Sequence, residues 1–179
     1  MNFVLLIIIT YTLTLVHASP TMVHKIRRPS VPARYNPYPC QRNNDNNAYR
    51  KFLKKHILQE PFTSRTRWDE WESYLKRNGL CNRSRQSFIK KKDKRHVKEI
   101  CKGSGLHLYD NLCISTKTMV VYDIRVRDSR SCKIESLNND RKYVIVACDK
   151  VENRCLPVHF QEYRNQRPDR NAQRCGLHP

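Results

Sequence analysis

The chain has 179 residues, with 35 Lys and Arg against 16 Asp and Glu, which gives a net charge of +19. The length suits one domain with tails, and a mean hydropathy of −0.78 excludes a protein that crosses a membrane many times. So large a charge on one small domain points to a polyanionic partner: nucleic acid, a sulfated glycan or an anionic membrane.

Residues 1–18 contain no Lys, Arg, Asp or Glu. An apolar stretch from Phe3 to Val16 ends at Val16-His17-Ala18, a small-residue cleavage pattern, so 1–18 reads as a secretory signal peptide. Residues 19–46 read as a basic, Pro-rich arm carrying Lys25, Arg27 and Arg28. Asn43-Asn44-Asp45-Asn46-Asn47 then offers helix N-caps. Tyr49, Phe52, Leu53 and Ile57 fall on one helical face with His56, and Pro61 stops the helix. A second helix is expected at Thr66–Arg77, with Trp68, Trp71, Tyr74 and Leu75 on one face and Gly79 after its end. A third is expected over about 86–100, carrying the run Lys90-Lys91-Lys92-Asp93-Lys94-Arg95.

Beyond Cys101 the pattern changes to strands, at 118–126, 132–137, 142–151 and 155–163, with a turn at Asn138-Asn139-Asp140. A basic tail, 163–179, follows. Helices first and strands afterwards argue an α+β fold. Eight cysteines, none in Cys-x-x-Cys spacing, read as four disulfides in an oxidising compartment rather than a zinc site. Eight cysteines allow roughly a hundred pairings, and spacing alone does not choose among them.

Two segments resemble the pancreatic ribonuclease (ribonuclease A) superfamily, which includes the angiogenins. Lys51-Phe52-Leu53-Lys54-Lys55-His56 is similar to the family's first-helix histidine motif. Tyr143-Val144-Ile145-Val146-Ala147-Cys148 and Leu156-Pro157-Val158-His159-Phe160 are similar to its C-terminal motifs, with strand alternation placing His159 opposite Leu156, Val158 and Phe160. The resemblance covers about residues 47–162. It implies a ribonuclease A-like α+β domain, with three helices and a bent antiparallel sheet stapled by disulfides.

The resemblance also implies a chemistry. One histidine, His56, acts as general base on the ribose 2′-OH, and the other, His159, protonates the leaving 5′-oxygen. The substrate is then RNA rather than DNA, cut on the 3′ side of pyrimidines, with no cofactor or metal. The family's phosphate-stabilising lysine follows a cysteine, but here Asn82 stands in Cys81-Asn82-Arg83-Ser84-Arg85-Gln86-Ser87-Phe88, which also has one extra residue. Arg83 and Arg85 are the candidates to replace its charge. Ser87 and Asp123 are the base-binding candidates, and Lys51, Lys54 and Lys55 the phosphate-binding ones. Gln161 stands where the family has an aspartate that orients the second histidine. Asn82-Arg83-Ser84 is also an N-glycosylation sequon.

The matched cysteines imply Cys81–Cys132 and Cys101–Cys148. Trp71 and Ile124 occupy both ends of an absent family pair. For Cys40, Cys113, Cys155 and Cys175 the expectation is Cys113–Cys155, across neighbouring strands, and Cys40–Cys175, tying arm to tail. Two functions fit: a secreted, monomeric, weak endoribonuclease, or a non-catalytic cationic protein in host defence or signalling. The second would bind heparin-like glycans, the cell surface or anionic membranes.

Overall fold

A computed structural model describes residues 36–59, 67–162 and 166–176. The expected signal peptide and most of the arm lie outside them. Helix α1, Ala48–His56, buries Phe52 and His56 and leaves Lys51, Lys54 and Lys55 exposed. Asn47 makes no side-chain cap. The Asn-rich stretch instead forms two turns, with Asn43 Oδ1 accepting from Asp45 N–H at 2.7 Å and Asp45 Oδ1 from Asn47 N–H at 2.9 Å. Helix α2, Trp68–Arg77, buries Trp71, Tyr74 and Leu75, whereas Trp68 is exposed despite its place in the pattern. Gly79 follows with φ 64°, the left-handed turn that Gly enters without steric cost.

The third helix is shorter than expected. Its first residues form strand β1, Arg85–Ile89, whose alternating Gln86 and Phe88 are buried. A 3₁₀ turn at Lys91–Asp93, helix α3 at Lys94–Glu99 and a π-turn at Ile100–Ser104 complete the segment. Short β2, Leu106–His107, leads to the long strands β3, Leu112–Asp128, and β4, Lys133–Val151, and then β5, Arg154–Gln161. The antiparallel order is β1-β3-β4-β5, with β2 also on β3. The turn expected at Asn138-Asn139-Asp140 does not form. These residues pair with Asp123, Tyr122 and Val121, and the ladder to β3 holds β4 extended.

Alternation along β3 divides the core. Met119 and Val121 join Phe52, Val97, Ile100, Val144 and Phe160 in one cluster. Tyr122, Ile124 and Val126 join α2 and Phe88 in a second. Trp71 and Ile124 share that second cluster, so apolar packing fills the place of the missing disulfide.

The Cys81–Cys132 and Cys101–Cys148 disulfides form as the resemblance implied. The other two are Cys40–Cys155 and Cys113–Cys175, which corrects both remaining expectations. Cys113 in β3 pairs with Val146 of β4, while Cys155 in β5 pairs with Lys150. The two cysteines therefore lie on opposite sides of β4 and at different heights, too far apart for a disulfide. Cys40 instead reaches Cys155 because residues 40–43 run along β4: Cys40 N–H donates to Cys148 O at 2.8 Å and Asn43 N–H to Lys150 O at 3.0 Å. Asp149, buried, also accepts from the amides of Asn36, Asn43 and Asn111. The tail reaches Cys113 because Arg174 bridges Leu106 of β2, beside Cys113's partner His107.

Candidate active site

His56 closes α1 and is buried between aromatic rings. Its ring is 5.4 Å from Phe52 and stacks at 5.3 Å and 19° on Phe160 of β5. His56 Nδ1 lies 3.0 Å from the Ser87 carbonyl of β1. A carbonyl only accepts, so Nδ1 carries the hydrogen, and in the neutral ring the Nε2 lone pair is left for the cleft. Burial lowers the His56 pKa from 6.5 to about 3, against the opposing pull of the Ser87 carbonyl. Positive charge at Arg83, His159 and Lys55 adds to the lowering. The ring is thus neutral at pH 7, the state that a base requires.

His159 sits beside a bulge. Ala147 pairs with His159 but Cys148 pairs with Pro157, so Val158 is an extra residue in β5. The strict alternation expected across 156–160 therefore breaks. Leu156 packs with Ala48 and Val151, apart from Phe160, and His159 is turned outward and exposed. Pro157, which has no N–H to give the ladder, stands at the irregularity. Desolvation lowers the His159 pKa, and Arg83 and Lys55 push it the same way. Gln161 opposes them through a side-chain hydrogen bond, so an amide holds the ring where the resemblance implied a carboxylate.

The loop before β1 carries the candidate charge. Gln86 is buried, and its Nε2 donates to Leu80 O at 2.8 Å and Arg83 O at 3.1 Å. This ties the 80–86 loop and sets Arg83. Arg83 Nη1 donates to Lys55 O at 3.4 Å, and burial lowers the guanidinium pKa. Its charge acts on both histidines. Arg85 is exposed and lies 3.4 Å from Glu162 at the edge of the same site. Asn82, the residue in the lysine's place, is exposed, as a sequon asparagine must be to carry a glycan.

Two adjoining cavities share His56 and Arg83. The smaller, about 280 Å³, holds Ser87, Asp123, Lys142 and Asn138, with Arg85 at its wall. Ser87 and Asp123 are cross-strand partners in β1 and β3, and Ser87 Oγ donates to Asp123 Oδ1 at 2.6 Å. Lys142 of β4 pairs with the other carboxylate oxygen and stands 3.8 Å from Asp140. Sequence reasoning missed Lys142 and Asn138 because it placed a turn at 138–140. The larger cavity, about 740 Å³, holds His159, Lys51 and Lys55, with Asn36, Arg42 and Asn43 along its wall. Lys51 is paired with Asp45 at 2.7 Å, and Lys54 lines neither cavity. Among the described residues no group of His, Cys, Asp and Glu is arranged to hold a metal ion.

Chemically, the arrangement offers a neutral imidazole whose Nε2 has no hydrogen-bond partner among the described residues, a second imidazole, and a guanidinium near both. A polar recess adjoins them.

No protein-family model matches the chain, and no curated protein sequence matches it. Solved structures do. Green turtle egg white ribonuclease superposes with a TM-score of 0.54 at 19% identity, over 65% of this chain and 98% of that one. Zebrafish RNase5 superposes with a TM-score of 0.53 at 18% identity, over 66% and 95%. The chain therefore has the ribonuclease A fold.

Proposed function

We propose that this chain of ribonuclease A fold is a secreted member of the ribonuclease A superfamily that cleaves RNA without a metal. The observation that carries the reading is the gathering of His56, His159 and Arg83 about one cleft. Neutral His56 takes the proton of a ribose 2′-OH through Nε2. The 2′-oxygen attacks phosphorus, the bond from phosphorus to the 5′-oxygen breaks, and the imidazolium form of His159, which the negative charge of the bound phosphate favours, gives that oxygen its proton. A 2′,3′-cyclic phosphate results, and water opens it with the two roles exchanged. Arg83 stabilises the charge that grows on the phosphoryl oxygens. Ser87 and Asp123, with Lys142, face the nucleobase and favour a pyrimidine. Four disulfides fit an extracellular protein.

The test is cleavage of a pyrimidine-containing RNA by the disulfide-bonded chain, beside His159→Ala and Arg83→Ala. The first change abolishes turnover. The second lowers kcat by about 10²–10³, the usual cost of removing one such donor. Equal residual activity in all three proteins would refute catalysis by this site.

The second reading, a cationic binding protein without catalysis, draws on exposed Asn82 and on the amide at Gln161. Turnover that appears only in Asn82→Lys would favour it.

A further inference from the structure

The tail builds a basic surface that the cleft does not use. Two cavities, of about 620 and 500 Å³, meet at Arg174, which lines both. The first also holds Lys102 and Arg154, and the second Arg167 and Arg170. Among the described residues no Asp or Glu lines either one, and neither shares a residue with the cavities at His56. Lys102 lies 3.9 Å from Glu99 and Arg154 3.3 Å from Glu152, and neither glutamate lines the cavities. Among the described residues Arg167 and Arg170 have no ion-pair partner.

The surface is held in shape. Cys175 is bonded to Cys113. Backbone hydrogen bonds join His107 N–H to Gln173 O at 2.7 Å and Cys175 N–H to Gly105 O at 2.9 Å. Arg174 Nη1 donates to Gly103 O at 3.0 Å, which fixes the central guanidinium. A guanidinium fork held as Arg174 is matches the paired oxygens of sulfate or phosphate and loses little entropy on binding.

We infer that the paired cavities about Arg174 bind a linear sulfated glycan of the cell surface. Two joined recesses suit a polymer with repeated anionic groups better than a single ion. Single-stranded RNA needs aromatic platforms for its bases, and among the described residues Tyr143 is the one aromatic side chain lining these cavities. Sulfate groups on a sugar chain need only the cations. The inference is independent of cleavage at the cleft.

The test is titration of the disulfide-bonded chain with a heparin-derived oligosaccharide of defined length. Three variants accompany it: Arg167→Ala/Arg170→Ala, Arg174→Ala, and Lys91→Ala/Lys92→Ala. The last removes two charges from an exposed turn outside the surface. The tail double variant is expected to lose about tenfold in affinity and to flatten its salt dependence, the control less than about twofold. Arg174→Ala loses affinity with the double variant, and RNA cleavage is unchanged in all three. Equal losses in the tail and control variants would overturn the site in favour of net charge alone. Unchanged affinity in the tail double variant, which removes no hydrogen bond among the described residues, would also overturn it. So would a larger loss of affinity for a single-stranded RNA than for the glycan.

Discussion

At the residue scale, the catalytic reading depends on what burial does to His56. That His56 and His159 stand at one cavity agrees with the local motifs from which their proposed roles are read. The preference for Arg83 over Arg85 was not legible in the sequence, since an inserted residue hides which side chain turns inward. Arg83 is favoured because its guanidinium is half-buried beside Lys55 O and acts on both histidines, whereas Arg85 is exposed beside Glu162. His56 also couples folding to pH. Its folded pKa of about 3 lies below the ordinary 6.5. Between these values the unfolded chain binds a proton that the folded chain refuses. Its contribution is fully present above pH 6.5 and is lost as pH falls towards 3. Denaturant midpoints measured across this window should fall more steeply with acid for the native chain than for His56→Gln. Parallel curves would show that the ring's burial does not set the slope.

At the element scale, the sequence resolves what is amphipathic and local. Helices α1 and α2 follow from their apolar spacing, and the long β-rich half follows from Val, Ile and Tyr. Gln86–Ile89 was masked by the lysine run behind it, which continues a helical composition into a strand. Its partner residues, Ile124 to Val121 of β3, lie far away in the chain and fix it as β1. Asn138-Asn139-Asp140 carries turn chemistry, yet pairing with β3 overrides it and makes Asn138 part of the wall of the smaller cavity. One buried amide ties the loop ahead of β1, beside the Cys81–Cys132 disulfide. Gln86→Ala removes a donor to two carbonyls and should cost about 1–3 kcal/mol by thermal unfolding. It should lower kcat along with Arg83→Ala, since the loop positions that side chain. A variant with native turnover would show that Arg83 is held by other contacts.

At the scale of the whole molecule, disulfides and charge give the fold its reach beyond the cleft. Cys81–Cys132 and Cys101–Cys148 follow from the resemblance, which reaches no cysteine outside its own span. The partner of Cys113 could not be read because strand order, β3-β4-β5, is a property of the sheet and not of spacing. Cys40–Cys155 spans 115 residues, the longest of the four loops. In the chain-entropy picture its closure stabilises the fold by roughly 4–5 kcal/mol. Cys40→Ser/Cys155→Ser should therefore lower unfolding stability by up to about that amount, measured by denaturant titration. A loss under about 1 kcal/mol would show that backbone bonds along β4 hold the 36–43 segment without it. Among the described residues the basic side chains gather on separate surfaces: the cleft at Arg83 and Lys55, the largely exposed 90–95 run, and the tail.

The central claim is attack by a ribose hydroxyl that His56 deprotonates, and product analysis tests it most directly. The chain is incubated with a short RNA holding one pyrimidine, and with the same oligonucleotide carrying 2′-deoxyribose at that position. The account predicts a 2′,3′-cyclic phosphate from the first, which is then hydrolysed, and no cut at the deoxy position. Cleavage of both at equal rates, or a product that never passes through the cyclic phosphate, would contradict it.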